Sequence, residues 1–296
     1  MKIALVTCQA QLDLYGGEKL LISALSGLGH DVAIPVWDDA KVVWSEFDAV
    51  VLRCTWDYHQ KLAQFHVWMD ALESRQVCVI NPLSILRWNI NKRYLFEMAK
   101  HTAAVIPTCL IEPSDTRSLA QMMEALAVKE AVLKPLQSAA AWRTIRVLAD
   151  DIVKAEDQFA HWRGEQEFLL QAFMPEVVDE GEWSLMFFNG VYSHSVLKRA
   201  KHGDFRVQSD HGGTVHALEC PMHLEVQAQA MLAQLEHTPC YARLDAVVRG
   251  DALYLMELEL IEPELFLEHH PEAAQRCARA IIQYAMSHKL GIAQRL

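Results

Sequence analysis

Apolar and polar positions change period repeatedly along the chain. "KIALVT" near the start is an unbroken apolar run, and "EKLLISALSGLG" spaces its leucines for one face of a helix that Gly29 would end. "DVAIPVW" turns extended, "FDAVVLRCTWDY" holds another strand, "LAQFHVWMDALESR" a helix, and "VCVINP" a strand closed by Pro82. Strands alternating with helices predict a small, largely parallel α/β sheet over residues 1 to about 85. Functional groups in such sheets tend to follow the carboxyl ends of strands. Arg53, Trp56, Asp57 and Tyr58 stand just beyond "AVVL".

Further on, "NINKRYLFEMAKHTAAV" reads as a helix with Asn91 near its start, and "IPTCLIEP" as extended. "TRSLAQMMEALAV" is helical, "EAVLKPL" a strand ending at Lys134, and "IRVLA" and "QEFLLQAFM" are strands around the helix "DIVKAEDQFAHW". From "EWSLMFFNGVYSHSVLKRA" the pattern becomes hairpin-like, with Asn189-Gly190 as the turn. "MHLEVQAQAMLAQLE" is an amphipathic helix, and "CYARLDAVVRG" with "ALYLMELEL" forms a second hairpin. A terminal helix over "PEAAQRCARAIIQYAMSHKLG" is expected to stop near Gly291.

In "LYLMELELIEPELF" leucine alternates with glutamate, so Glu257 and Glu259 share one face while Leu258 and Leu260 face the core. The short turn at "RGD" brings Asp245 opposite or diagonal to Glu257. Three converging like charges are costly unless a cation offsets them. Mg²⁺ favours carboxylate and phosphate oxygens, which makes the trio a candidate metal site for a nucleoside triphosphate tail. A half-exposed strand with a wet acidic face explains the same spacing.

Charge sharpens the contrast. The 296 residues carry 27 Lys plus Arg against 38 Asp plus Glu, a formal net charge of -11, so general nucleic-acid binding is disfavoured. Within that acidic background "VLKRAKHGDFRVQSDHGGT" gathers Lys198, Arg199, Lys201 and Arg206 with Gly203 and Gly212-Gly213. Such a segment suits a phosphate or carboxylate, with a solvated basic loop as the alternative. Lys134 ends its strand beside the small residues "QSAAA". The histidines at 194, 202, 211 and 216 match no zinc spacing. Seven cysteines occur without a CxxC pair, as expected of reduced, mostly buried thiols in a cytoplasmic protein. No signal segment or run of eighteen apolar residues is present, so no membrane association is expected.

Taken in order, "NINKRYLF", "AVLKPLQSAAA", "LLQAFMPEV", "GEWSLMFFNG", "KHGDFRVQSDHGG", "YARLDAVV" and "MELELIEPELF" resemble the ATP-grasp superfamily. The likeness is closer to its bacterial branch related to glutathione synthetase and to the cyclo-ligase of D-cycloserine biosynthesis. "RCTWDY" and "WDD" in the first domain also look like that branch. The resemblance covers essentially the whole chain. It implies an α/β protein, α+β in its C-terminal part, with an ATP-grasp fold behind an N-terminal pre-ATP-grasp domain. The expected domains are 1–88, a small central 89–172 and a C-terminal 173–296.

The same resemblance implies roles. Lys92 and Lys134 would hold nucleotide phosphates, with Lys198 nearby. Gln171, Ala172, Phe173 and Met174 would pass the adenine, and Glu176 would accept from the ribose. Asp245, Glu257 and Glu259 would hold Mg²⁺, although many relatives have asparagine in place of Glu259. Arg206 and Arg243 would face the transferred phosphoryl group. The phosphate-covering loop of the family is rich in glycine and serine, whereas here it reads "SAAAWRT", leaving Ser138, Arg143 or Thr144 to contribute contacts.

The implied chemistry is ATP-dependent joining of a carboxylate to an amine through an acyl phosphate, with amino acids or short peptides as substrates. The alternatives are intramolecular cyclisation, a nucleotide-binding protein with a weakened site, and a structural partner-binding protein. Arg53 is the candidate clamp for a substrate carboxylate, or else one half of a structural ion pair with Asp57 or another acid. A homodimer is the expected assembly.

Overall fold

The computed structural model describes residues 1–101, 104–138, 142–207 and 211–293. Among them, three sheets follow one another along the chain. The first takes β1 (Lys2–Thr7), α1 (Glu18–Gly27), β2 (Asp31–Ala33), β3 (Ala49–Cys54), α2 (Leu62–Ser74) and β4 (Val79–Ile80). Its order is β2-β1-β3-β4, and all pairs are parallel. Strands β1 and β3 are buried at every position except Lys2, which explains their unbroken apolar composition: both faces of a parallel sheet are covered. On one face Ala4, Val6, Val50 and Leu52 pack against Trp37, Phe65, Trp68 and Met69.

The connection to the second sheet is broken rather than a single helix. α3 (Leu83–Asn89) ends, and α4 (Tyr94–Met98) begins after a turn. The turn carries Lys92, whose backbone N–H donates to Leu136 O at 3.0 Å. This bond to a distant element competes with helix continuation and turns Lys92 toward the central sheet. That sheet contains β5 (Thr108–Ile111), α5 (Leu119–Ala125), β6 (Glu130–Pro135), β7 (Ile145–Leu148), α6 (Ile152–Ala160) and β8 (Phe168–Ala172). Its order is β5-β8-β6-β7, antiparallel throughout. α5 starts at a capping box, Ser118 with Gln121, and drives Leu119 and Met122 into a core shared with Leu133, Phe159 and Phe168.

The third region contains α7 (Glu176–Asp179), β9 (Glu182–Phe188), β10 (Val191–Arg199), β11 (Thr214–Ala217), α8 (Met222–Leu232), β12 (Tyr241–Arg249), β13 (Ala252–Glu259) and α9 (Ala273–Ala293). The antiparallel order is β11-β10-β9-β12-β13. Asn189 and Gly190 both take positive φ, 48° and 75°, as a tight two-residue hairpin turn requires. Strand β11 had no counterpart among the expected elements. α9 is described to Ala293, two residues beyond Gly291, in keeping with the expected stop near that glycine.

α9 packs on α1. Ala278, Ile281 and Ala285 join Ile3, Leu5, Leu21 and Leu25 in one core, so the last helix covers the second face of the first sheet. Among the described residues, no helix is long and apolar enough to cross a membrane.

Candidate active site

The β12–β13 hairpin sets the geometry. Near its turn Val248 pairs with Leu253 and Ala246 with Leu255, but then Asp245 pairs with Glu257 and Arg243 with Glu259. Met256 is the extra residue of a bulge. Without it Asp245 would face Met256, and the two acids would sit on opposite faces. The burial pattern shows the same slip: Leu253 and Leu255 are buried, Met256 and Glu257 are both half-buried, and Leu258 is buried again. The expected meeting of Asp245 with Glu257, and the inward placement of Leu258 and Leu260, are both present.

All three carboxylates line a cleft of about 360 Å³ bounded by all three regions, a volume within the usual range for small-molecule sites. Tyr15, Trp56 and Tyr58 come from the first, Lys134 and Gln171 from the second, and Lys198 and Arg243 from the third. Each acid has a cationic partner. Glu257 meets Lys92 at 3.0 Å and Lys134 at 3.7 Å. Asp245 accepts from Ser184, Lys198 (3.2 Å) and Arg243 (2.9 Å), while Glu259 pairs with Arg243. Lys198 lies between Asp245 and Glu182, 2.5 Å from the latter.

These contacts decide the ionisation. Burial alone would raise Glu257, but Lys92 and Lys134 outweigh it and hold its pKa below the usual carboxyl value. Burial also opposes ionisation of Asp245, and Arg243 with Lys198 overcomes it. Glu259 goes the other way: burial, with Asp245 and Glu257 beside it, pushes it up to about 7 despite Arg243. Lys134 is lowered by burial even with Glu257 near. Counted over the whole cleft, the acids Glu182, Asp245, Glu257, Glu259, Glu262 and Glu264 outnumber the cations Lys92, Lys134, Lys198, Arg206 and Arg243.

Most of the sequence-selected residues meet here. Lys92 Nζ donates to Ser138 O at 2.8 Å, tying this lysine to the start of the "SAAAWRT" loop; residues 139–141 of that loop lie outside the described set. Gln171, Ala172, Phe173 and Met174 line the cleft beside Val132 and Met256. Arg206 lines it too, held by Asp204 at 2.8 Å.

Two expectations are corrected. Arg53 is sealed, 1% exposed, and clasps Glu18 at 2.5 Å while donating to Pro263 O at 2.7 Å. It is the structural ion pair, with Glu18 and not Asp57, and has no free edge for a substrate. Asp57 instead accepts from Trp37 and Lys61. Glu176 pairs with Arg249 at 2.5 Å and is not among the residues lining the cleft, because the arginine at the hairpin turn draws it away. Asp245, Glu257 and Glu259 share one cleft, as expected, and among the described residues no group of three His, Cys, Asp or Glu is already drawn together around an ion position. In this arrangement each carboxylate is turned to a cationic side chain.

The sequence reading missed Glu182, Ser184 and Glu262, all buried and the first and last lining the cleft. "GEWS" carries the first two at alternate positions of β9, beside the Asp245 strand, so the pairing of β9 with β12 was the signal for them.

A cleft between antiparallel sheets, with lysines reaching toward a carboxylate-bearing hairpin, defines a class, and the comparisons agree. The prokaryotic glutathione synthetase ATP-grasp domain family matches residues 95–263, and the chain belongs to this ATP-grasp family of ATP-dependent carboxylate–amine ligases. Residues 3–81 match the N-terminal domain family of the D-cycloserine synthetase DcsG. The cycloserine biosynthesis protein DcsG of Streptomyces lavendulae is 30% identical over 303 aligned positions, covering 95% of this chain and 98% of that protein. A crystal structure of D-cycloserine synthetase DcsG superposes with a TM-score of 0.86 at 27% identity, over 96% of this chain and 100% of the other. The D-alanine–D-alanine ligase of Bacillus anthracis shares the fold, with a TM-score of 0.69 at 13% identity over 98% and 99% of the two chains.

Proposed function

We propose that this chain is a cyclising ligase acting on a small substrate derived from an amino acid. The observation that supports this reading most is the full-length similarity to the cycloserine proteins, including the first domain that contributes Tyr15, Trp56 and Tyr58 to the cleft. The product named for those relatives is a five-membered ring in which a nitrogen on the side-chain oxygen of a serine skeleton is joined to the carboxyl carbon of the same molecule.

In the proposed sequence, a carboxylate oxygen of the substrate attacks the γ-phosphorus of ATP, the bond to the β-bridging oxygen breaks, and ADP leaves. The ring nitrogen then attacks the acyl carbon, the bond to phosphate oxygen breaks, and the nitrogen gives up its proton. Little covalent help is needed, so the work falls on alignment and charge. Lys92 and Lys134 are assigned to phosphate oxygens, with Ser138 at the loop start and Lys198 holding Asp245 in place. Arg243 and Arg206 are assigned to the transferring phosphoryl group, and Gln171 through Met174 to the adenine. The oxygen donors Asp245, Glu257 and Glu259 suit Mg²⁺, and the excess of acid at Glu259 favours an added cation. Bound there, the ion would neutralise triphosphate charge as Lys92 and Lys134 turn from Glu257 to phosphate.

Buried free thiols and the use of ATP support a cytoplasmic setting, and a homodimer is the assembly we expect. The test is ADP release with Mg-ATP against serine-derived substrates bearing nitrogen on the side-chain oxygen, followed by product mass. A product equal to one substrate less water supports cyclisation. A product equal to two joined molecules less water replaces it with intermolecular ligation.

A further inference from the structure

We propose that Glu262 recognises the amino group of the substrate, its carboxylate pairing with the ammonium and selecting amino-acid-derived molecules over plain carboxylic acids. This rests on the cycloserine-type reading and supplies the residue that would read the α-amino group in it.

The backbone around Glu262 is fixed carbonyl by carbonyl. Ile261 O lies 2.9 Å from Tyr241 Oη, sharing its single proton with Leu52 O and Ile80 O, and Glu262 O accepts from Trp56 Nε1 at 3.1 Å. Pro263 O accepts from Arg53 Nη2 at 2.7 Å, and Glu264 O from Arg243 Nη1 at 3.1 Å. Four consecutive acceptors are thus held by four side chains from two regions of the molecule. Arg53 acquires its purpose here: Glu18 locks a guanidinium that in turn holds the segment. Such over-determination leaves Glu262 little freedom to move its main chain.

The side chain is treated differently. Glu262 is 9% exposed and lines the cleft. Apart from its own backbone N–H, its carboxyl has no hydrogen-bonding or ion-pairing partner among the described residues. Burying a carboxylate without a counter-charge is expensive, and the group stays protonated instead. Burial, then Glu259, pushes its pKa up to about 8, and Lys92 and Arg53 only partly oppose this. A cation entering the cleft would complete the missing pair.

The neighbours also favour an ammonium. Tyr15 and Trp56 meet edge to face at 5.3 Å, and both line the cleft with Tyr58. Aromatic walls near a carboxylate suit an alkylammonium, which gains from ring faces as well as from the acid. The adjacent acid is aimed elsewhere: Glu264 Oε1 lies 3.7 Å from where a Cβ on Gly16 would stand, toward the Gly16–Gly17 turn and Glu268. Glu264 lines the cleft as well but is less buried and lies toward that turn, so Glu262, on the segment held by Trp56, is the acid we assign to the ligand.

The test compares D-cycloserine with isoxazolidin-3-one, the same ring without its amino group, by titration calorimetry on the wild-type chain and on Glu262→Gln. Wild type should prefer D-cycloserine, and Glu262→Gln should lose roughly 10- to 100-fold in its affinity while binding isoxazolidin-3-one as before. Mg-ADP affinity, unchanged in the variant, reports that the variant is folded, and Glu262→Asp should recover part of the preference. If Glu262→Gln keeps the full preference, the inference is overturned while the cyclising reading stands. If the wild type binds neither ring and no serine-derived substrate releases ADP, both fall together.

Discussion

Arg53 with Glu18 and Arg243 with its acids use the same chemistry in opposite ways. The first pair is closed: one guanidinium, one carboxylate, a backbone carbonyl, and almost no exposed surface. In the second, Arg243 serves Asp245 and Glu259 together, Lys198 serves Asp245 and Glu182, and Glu257 draws on two lysines at unequal distances. The closed pair has a partner at each guanidinium nitrogen and at both carboxylate oxygens, and it holds a chain segment in place. The cleft lattice carries surplus acid, with Glu259 at about 7 and Glu264 also pushed up, by burial, to about 7. Buried charges that balance make scaffolding, whereas charges that do not balance inside a cavity call for a mobile partner.

The contrast can be broken most forcefully at Arg53. Arg53→Ala leaves Glu18 buried alone and should cost about 3–5 kcal/mol in urea unfolding. Arg53→Met combined with Glu18→Leu should recover much of it; a single variant within 1 kcal/mol of wild type would sink the closed-pair account. Glu257→Gln should act in the other direction, on chemistry rather than fold. ADP release should fall about 100-fold with the unfolding midpoint little changed, and unaltered turnover would remove the hairpin from the phosphate site.

A third measurement uses pH. Glu259, Glu262 and Glu264 keep protons in the folded chain that the unfolded chain has already released. Their contribution to stability is therefore complete below the ordinary carboxyl range. It declines as pH rises toward about 7 to 8. Glu262→Gln should flatten that decline by on the order of 1 kcal/mol per pH unit in ligand-free protein, and an unchanged slope would contradict its protonated state. The smallest stability effect belongs to Arg206→Ala, which breaks a partly exposed pair with Asp204. It should stay within about 0.5 kcal/mol of wild type while lowering turnover.

Local pattern carried much of this. The parallel first sheet, the Asn189-Gly190 hairpin and the Asp245–Glu257 pairing follow from periods and turns within about a dozen residues. Even the bulge has a trace: buried leucines fall at odd positions 253 and 255, then at even positions 258 and 260. The change of parity marks an inserted residue, and an uninterrupted alternation would have put Glu257 in the core. What pattern did not carry were partners far apart in the chain. Glu18 for Arg53, Trp56 for Glu262 O and Leu136 for the Lys92 turn are tertiary matches, and nothing near Arg53 marks it as sealed. The helix expected from "NINKRYLF" onward is present only over Tyr94–Met98, its later start following the backbone bond from Lys92 to Leu136 O.

The covering of the first sheet by α9 has a consequence for biosynthesis. When the opening α/β segment leaves the ribosome, Leu21, Leu25, Ile3 and Leu5 have only part of their shelter, because Ile281 and Ala285 have not yet been made. The nascent first domain must wait, with one greasy side uncovered, until more than 270 residues have been translated. Loss of the last helix should therefore show itself as aggregation during synthesis, beginning in the domain farthest from the cut in sequence.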